Sequence, residues 1–216
     1  MIRAVLWDLD GTLVDSEEFH WLAWREVMAR EGVALTREQF LATFGHRNDA
    51  ILPLWLPDIS LERAAAVGDD KESRYRELVS ENGLAPLPGA SEWVKRLAGE
   101  GWRQAVASSA PRANIGIMLE ALGLAQYFQA SAGAEDVTHG KPAPDVFLEA
   151  AARLGAPASR CIAVEDAAAG IEAARRAGMK SIGVTRNGAP LTATVVTASL
   201  TALSGDTFHR LLDEPL

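Results

Sequence analysis

The chain is poor in cysteine. Its 216 residues include one, Cys161, so no disulfide can form within the chain. A domain that depends on internal disulfides is therefore excluded, and a single thiol fits a reducing compartment. Cys161 lies in a short apolar run, where we expect it to be a small buried side chain. We accordingly expect a cytoplasmic protein.

Long hydrophobic segments are also lacking. No run of about 18 apolar residues occurs, so we expect no membrane-spanning helix. The apolar stretch within residues 1–7 is too short for a signal peptide and leads directly into charged residues. These shortages argue against association with a membrane.

Positive charge is outweighed by negative charge. The chain has 21 Lys and Arg residues against 29 Asp and Glu residues, and its formal net charge is −8. A field of this sign repels nucleic acid and anionic membranes, so we expect neither as a partner. It also repels a phosphorylated substrate unless the binding site is locally positive or holds a metal cation. The sequence indicates no obligate protein partner.

Short apolar runs alternate with segments of helical spacing over most of the chain. The apolar runs cover residues 4–7, 104–107, 161–164, 181–184 and, less regularly, 194–197. Most are rich in Val, Ile or Ala, which is typical of strands buried on both faces of a parallel sheet. The helical segments between them end at glycines, the usual helix stop. We therefore predict an α/β fold with a doubly wound parallel sheet.

One interval interrupts this alternation. Residues 16–85 show helical patterns and no convincing strand: Thr36 is expected to cap a helix that extends to Phe44, and residues 61–79 are expected to form one helix or two. A segment marked by proline and glycine follows. We predict a helical cap domain, residues 16–85, inserted into a core that comprises residues 1–15 and 86–216.

Polar residues follow the predicted strands at the carboxyl edge of the sheet, where open α/β sheets bind ligands. In chain order they are Asp8, Asp10, Ser108, Ser109, Lys141, Glu165 and Asp166. Carboxylates that converge in this way repel one another unless a divalent cation neutralises them or their pKa values are shifted. Oxygen ligands favour a hard cation, and Mg²⁺ is the natural choice with phosphate substrates.

These segments resemble the haloacid dehalogenase superfamily, in the β-phosphoglucomutase-like and phosphatase branch that carries a helical cap after the first strand. Residues 8–16 are similar to the first signature of the family, and Ser108 to the second. Lys141 between glycine and proline is similar to the third, and Glu165 with Asp166 to the fourth. The resemblance covers nearly the whole chain and implies a Rossmann-like core.

The resemblance implies phosphoryl transfer. Asp8 would attack phosphorus and form an aspartyl phosphate, while Asp10 would protonate the leaving oxygen and later deprotonate the incoming nucleophile. Ser108 and Lys141 would contact the transferring group, with Ser109 beside the substrate. Ser108 alternatively caps the helix that follows it.

The resemblance also implies a Mg²⁺ site. Its ligands would be Asp8, the backbone carbonyl of Asp10, and Asp166, with Glu165 either a direct ligand or a support for one. Glu165 and Asp166 alternatively cap the next helix. Family members often have a hydroxyl residue after the fourth signature, and this chain has Ala167 there.

The cap is expected to select the substrate. The candidates are His20, Trp24, His46, Arg47 and Lys71, and Arg47 in the loop 45–49 suits a second phosphate or a carboxylate. Trp24 is alternatively a core residue of the cap, and His20 and His46 are alternatively surface polar residues.

The expected function is that of a phosphatase of small phosphorylated metabolites such as sugar phosphates. The alternative is a phosphosugar mutase of the β-phosphoglucomutase type, and a non-catalytic phosphoester-binding protein is disfavoured by the complete set of catalytic residues. Asp10 argues against dehalogenation, because halide leaves without a proton. A dinucleotide-binding domain is excluded because G-x-G-x-x-G does not follow the first strand.

Asn in place of Asp8 keeps the shape of the side chain and removes the nucleophile. We expect Asp8→Asn to lower hydrolysis of p-nitrophenyl phosphate with Mg²⁺ by more than about a thousandfold. Calorimetry should still detect binding of a phosphate ester, and beryllium fluoride should inhibit the unsubstituted enzyme. Substantial turnover by the variant would refute the assignment.

Overall fold

The architecture comes from a computed structural model that describes residues 2–185 and 190–213. A six-stranded sheet lies at the centre, with every pairing parallel and the strand order β3-β2-β1-β4-β5-β6. The strands are β1 (Ala4–Trp7), β2 (Arg103–Ala107), β3 (Ala130–Ala132), β4 (Cys161–Glu165), β5 (Lys180–Val184) and β6 (Val195–Thr197). The order reverses between β1 and β4, and ligands bind at such a switch point.

Nine α-helices occur in the described residues. Four lie between β1 and β2: α1 (Glu17–Arg30), α2 (Arg37–Leu41), α3 (Asn48–Trp55) and α4 (Leu61–Asn82). The others are α5 (Ala90–Gly99), α6 (Arg112–Ala121), α7 (Asp145–Leu154), α8 (Ala168–Arg176) and α9 (Thr207–Asp213). Among them, no helix is both long and apolar enough to cross a membrane.

Alternation along each strand divides the sheet's side chains between two hydrophobic layers. Val5 and Trp7 of β1 face one layer, which contains α5, α6 and α9. Ala4 and Leu6 face the other, which contains α7 and α8. Helices on both faces confirm the predicted doubly wound sheet. Many residues of the second layer are alanines, which let the helices approach the sheet closely.

The strand β3 was not predicted. It has three residues, Ala130-Ser131-Ala132, and its first residue pairs with Ala105 of β2 at the edge of the sheet. Alanine and serine lack the β-branched or aromatic side chains that mark a strand in sequence. Tertiary pairing, rather than local preference, forms this element.

The helical block α1–α4 packs around a hydrophobic cluster of its own, which includes Trp24, Met28, Phe40 and Leu52. Residues 16–85, all of which the structure describes, contain no strand. This block is the cap, and it lies over the carboxyl edge of the sheet. The exact domain boundaries stay a prediction, and Met1 and residues 186–189 and 214–216 of the predicted core lie outside the described residues.

Two local expectations in the cap need correction. Thr36 caps α2 as expected, but this helix ends at Leu41 and does not reach Phe44. The hydroxyl of Thr43 bonds to the carbonyls of the last turn, and Gly45 has φ +85°, so the chain leaves the helix. The expected loop 45–49 is helical from Asn48 onward.

The chain passes from the core into the cap and back into the core at one place. The backbone N–H of Leu87 donates to the carbonyl of Leu13 at 2.9 Å, and Val14 forms a bridge with Pro86. The two connecting segments therefore lie side by side. This arrangement is typical of a hinge between an inserted domain and its host.

Gly89, at the start of α5, provides a test of the packing within the core. It has φ +87°, and a Cβ there would lie 2.7 Å from the backbone nitrogen of Thr201. We expect Gly89→Ala to lower the free energy of unfolding by at least about 2 kcal/mol in urea titrations. Gly99→Ala in α5 is the matched control, since a Cβ there meets nothing within 4 Å. It should be neutral or stabilise by up to about 1 kcal/mol, and equal losses in both variants would contradict the prediction.

Candidate active site

The turn after β1 directs two carboxylates toward the carboxyl edge of the sheet. The N–H of Asp8 donates to the carbonyl of Val164 at 2.9 Å and so extends the pairing with β4. Gly11 has φ +84° and donates to Val14 at 2.8 Å, which folds the chain back on itself. Because such a φ strongly favours glycine, this residue sets the turn that carries Asp8 and Asp10.

Lys141 links the ends of three strands. Its Nζ lies 2.6 Å from Asp8 Oδ1 and 2.6 Å from Glu165 Oε1. It also donates to the carbonyl of Ala107 at 3.0 Å, at the end of β2. The ammonium thus has an acceptor for each of its three protons. The three charged side chains are buried.

An acidic cluster surrounds this lysine. Asp8, Glu165 and Asp166 each offer a carboxylate oxygen within 4.8 Å of the others. Glu165 Oε2 also accepts the backbone N–H groups of Asp166 and Ala167, at 3.0 Å each. Three carboxylates against one ammonium leave excess negative charge among oxygen donors. Such a set suits a hard divalent cation.

Gly170 makes room for this cluster. A Cβ at that position would lie 1.8 Å from Glu165 Oε1, well inside any tolerated contact. No pattern in the sequence indicates this role for Gly170. The absence of its side chain is what lets Glu165 reach Lys141.

Electrostatics in the cluster are dominated by burial. Burial and the neighbouring Glu165 raise the pKa of Asp8 well above its usual value, although Lys141 opposes the shift. Burial disfavours the charged form of Lys141, but Asp8 and Glu165 outweigh it and raise the lysine pKa. The lysine therefore remains an ammonium, and the carboxylates compete for it.

Asp10 has a different environment. Its Oδ1 accepts a hydrogen bond from Ser16 Oγ and lies 3.1 Å from His20 Nε2. Lys71 Nζ lies 2.8 Å from His20 Nδ1. Lysine can only donate, so Nδ1 accepts and we assign the ring proton to Nε2, facing Asp10. Burial raises the pKa of Asp10, but His20 and Ser16 outweigh it, and the net shift is downward.

The predicted cap residues occupy defined positions around Asp8 and Asp10. His20 stacks on Tyr75 with ring centroids 4.0 Å apart, and it is buried. Trp24 packs edge-on against Trp55 in the cap core, and Lys71 Nζ lies 5.2 Å from the Trp24 ring centroid. Trp24 is thus both a core residue of the cap and a wall of the site.

Arg47 reaches from the cap to the core. Its Nη1 donates to the carbonyls of Ala134 and Val137 at 3.2 Å each, and its Nε and Nη2 bond to Asp49. A Cβ on Gly140 would lie 2.6 Å from Arg47 Cδ, so this glycine admits the side chain. In this arrangement each nitrogen of the Arg47 guanidinium group already donates to an acceptor within the protein.

A cavity of about 360 Å³ lies between the cap and the sheet. It brings together every site residue that the sequence predicted: Asp8, Asp10, His20, Trp24, His46, Arg47, Lys71, Ser108, Ser109, Lys141, Glu165 and Asp166. Ser108 is buried at the end of β2, where its Oγ accepts the N–H of Ala110 at 3.1 Å. The cavity is also lined by Asn48 and Glu72, which the sequence analysis missed because nothing local distinguishes them from surface residues.

Comparison with known proteins agrees with this geometry. The profile of the family described as haloacid dehalogenase-like hydrolase matches residues 2–178. The chain belongs to this family. The match includes β1, the whole cap and all the carboxylates of the site.

Proteins that are similar to this chain are named for different activities. Fructose-1-phosphate phosphatase YqaB of Escherichia coli K12 is 35% identical over 190 residues, which cover 83% of this chain and 95% of that protein. Protein SUPPRESSOR OF QUENCHING 1, chloroplastic, of Arabidopsis thaliana is 36% identical over 193 residues, 85% of this chain but 18% of that protein. The crystal structure of β-phosphoglucomutase from Clostridium difficile superposes with a TM-score of 0.88 at 26% identity, covering 99% of this chain and 98% of the other.

Removal of the lysine should expose the repulsion that it balances. We expect Lys141→Met to lower the free energy of unfolding by about 3 kcal/mol at neutral pH without metal, because it leaves Asp8 and Glu165 buried and uncompensated. A carboxyl group whose pKa is higher in the folded state binds a proton at a pH at which the unfolded chain does not, so acidification stabilises the folded state through this group. The stability lost in Lys141→Met should therefore become smaller as the pH falls through the raised pKa of Asp8.

Urea unfolding between pH 5 and pH 8, with and without Mg²⁺, measures this effect. Added Mg²⁺ should restore part of the stability. Lys95→Met, which removes an exposed lysine from α5, is the control and should change stability by less than about 0.5 kcal/mol. A deficit that grew on acidification would contradict the argument.

Proposed function

We propose that this protein is a Mg²⁺-dependent phosphatase that hydrolyses small sugar or polyol phosphates through an aspartyl phosphate on Asp8. The observation that carries the proposal is the 2.6 Å contact between Lys141 Nζ and Asp8 Oδ1, in the cavity between the cap and the sheet that Asp10 also lines. A carboxylate that is buried and oriented in this way is suited to attack phosphorus. Because Lys141 holds Oδ1, we assign the attack to Oδ2.

Lys141 serves two purposes in this scheme. It orients Asp8, and its ammonium offsets the negative charge of the transferring phosphoryl group. Ser108, buried at the end of β2, is assigned to donate its hydroxyl to a phosphoryl oxygen. Donors that are already in place cost little reorganisation during the reaction.

Asp10 is assigned to proton transfer. With its pKa lowered by His20 and Ser16, it is ionised in the described arrangement, the form needed to deprotonate the water that hydrolyses the aspartyl phosphate. In the first step it must carry a proton for the leaving sugar oxygen. The proton that Asp10 takes from water in the second step restores that form for the next turnover, and His20 Nε2, 3.1 Å away, donates a hydrogen bond that holds the carboxyl group in place.

The acidic cluster is the proposed Mg²⁺ site. The ion would be held by Asp8, Asp166 and the backbone carbonyl of Asp10. Both oxygens of Glu165 already accept hydrogen bonds, so Glu165 would support the site without being a direct ligand. Bound Mg²⁺ supplies positive charge that neutralises these carboxylates and the substrate phosphate. The surplus of carboxylate over ammonium is the feature that favours a cation here.

Hydrolysis is favoured over isomerisation by Arg47. A mutase has to hold a second phosphate in the cap, and Arg47 is the cap residue with the geometry for it. Here its Nη1 donates to Ala134 and Val137, and Asp49 accepts from its other nitrogens. A phosphate would have to displace these partners.

The name of the E. coli relative supports a sugar phosphate as substrate. With a net charge of −8, the protein is proposed to act on metabolites in the cytoplasm without nucleic acid or membrane partners.

Phosphorus NMR distinguishes the two outcomes. The unsubstituted protein is mixed with β-glucose 1-phosphate, fructose 1-phosphate or hexitol phosphates, with Mg²⁺ and a trace of glucose 1,6-bisphosphate. We expect inorganic phosphate to accumulate, with little glucose 6-phosphate. Asp8→Asn and a sample with excess chelator are the controls, and both should be silent.

Two results would count against the proposal. Rapid formation of glucose 6-phosphate with little free phosphate would identify a mutase. Full activity in chelator, with no metal found by elemental analysis, would remove Mg²⁺ from the scheme.

A further inference from the structure

Glu72 is a buried charged residue of α4 to which the scheme above assigns no role. It is 5% exposed. Its Oε1 accepts from Lys71 Nζ at 2.8 Å and from Asn48 Nδ2 at 2.7 Å. Its Oε2 accepts from Asn114 Nδ2 at 2.5 Å. Burial of a carboxylate is tolerated only with such donors, and burial here is outweighed by Lys71 and His20, so the pKa of Glu72 is lowered.

Asn114 is the partner of Glu72 in the core. It is fully buried in the first turn of α6, the helix that follows Ser108 and Ser109. Its Nδ2 donates to Glu72, and its Oδ1 accepts from Arg76 Nη1 at 3.0 Å. Glu72 and Arg76 are one turn apart on α4. A single core amide therefore bonds to two residues of this cap helix, beside the apolar contacts that Tyr75 and Val79 make in the same cluster as α6.

Lys71 extends the connection toward the catalytic carboxylates. Its Nζ lies between Glu72 Oε1 and His20 Nδ1, 2.8 Å from each. His20 Nε2 in turn lies 3.1 Å from Asp10. The chain of hydrogen bonds thus runs from Asn114 through the cap to Asp10. Both of its ends belong to the core, so it is complete only while the cap lies against the sheet.

We propose that Glu72 is a positioning residue for the acid–base step. It holds the Lys71 ammonium against His20 and, through Asn114, keeps α4 where His20 meets Asp10. The inference rests on the proposed function, because it assumes that Asp10 protonates the leaving group. Glu72 itself is not assigned to touch the substrate or the reacting atoms.

The test uses the leaving group. Departure of a sugar oxygen needs a proton from Asp10, whereas p-nitrophenolate is stable enough to leave without one. The ratio kcat/KM reports steps up to the first phosphoryl transfer, before water attacks. A residue that positions the acid should therefore matter for the sugar phosphate and hardly for p-nitrophenyl phosphate. A merely structural role would lower both alike.

The two informative variants are Glu72→Gln and Asn114→Ala. Glutamine keeps the shape but offers one acceptor oxygen, so it cannot serve both Lys71 and Asn114. We expect each variant to lower kcat/KM for the sugar phosphate by at least about tenfold, and for p-nitrophenyl phosphate by less than about threefold. The double variant should lose no more than the worse single one, because both break the same connection.

Glu77→Gln is the matched control. It also removes a carboxylate from α4, but Glu77 is exposed and pairs with Arg74 on the surface. Its kinetics should match those of the unsubstituted enzyme for both substrates. Circular dichroism and thermal melting establish that every variant is folded.

Amide hydrogen exchange tests the connection independently of turnover. Glu72→Gln and Asn114→Ala should speed exchange in α4 and in the first turn of α6, and Glu77→Gln should not. Equal losses on both substrates in the two variants, or unchanged exchange, would overturn the role of Glu72. An unsubstituted protein that hydrolyses neither ester would instead refute the proposed function, and exchange would still decide whether Glu72 ties the cap to the core.

Discussion

The site depends on one ammonium group placed among carboxylates. Lys141 bonds to Asp8, to Glu165 and to the backbone at the end of β2, so it holds three neighbouring strand ends at one point. Glu165 can take part only because Gly170 leaves space for it. The same cluster carries more negative charge than one lysine balances. This imbalance makes a metal cation a suitable occupant, and only the added positive charge would make the site suitable for a phosphate group.

The cap lies over this edge of the sheet and forms the other side of the cavity. Its polar contacts with the core join His20 to Asp10, Glu72 and Arg76 to Asn114, and Arg47 to two backbone carbonyls. Apolar contacts accompany them, because Tyr75, Leu78 and Val79 of α4 pack in the same cluster as Ile115 and Met118 of α6. Some of the contacts that hold the cap therefore also fix the position of Asp10, the residue proposed to transfer the proton.

Local sequence signals were sufficient for most of the fold. Strands β1, β2, β4 and β5 are short and apolar, and the helices between them carry clear apolar faces and glycine stops. The edge strand β3 escaped prediction because alanine and serine carry no strand preference. The sequence does not indicate the helix from Asn48, because it is short and begins beside a glycine turn. Prediction succeeded where an apolar pattern extended over a whole element, and it failed for these short elements.

The amino-acid sequence by itself determined the alternation that builds the sheet, the turn that carries Asp8 and Asp10, and the set of polar residues at the strand ends. Each of these depends on residues close together in the chain. Only the tertiary structure decided that Arg47 bonds to core carbonyls, that Gly170 accommodates Glu165 and that Glu72 meets Asn114. The last pair is 42 residues apart and belongs to two helices. Their contact follows from the angle at which the cap packs on the sheet, and no local pattern encodes that angle.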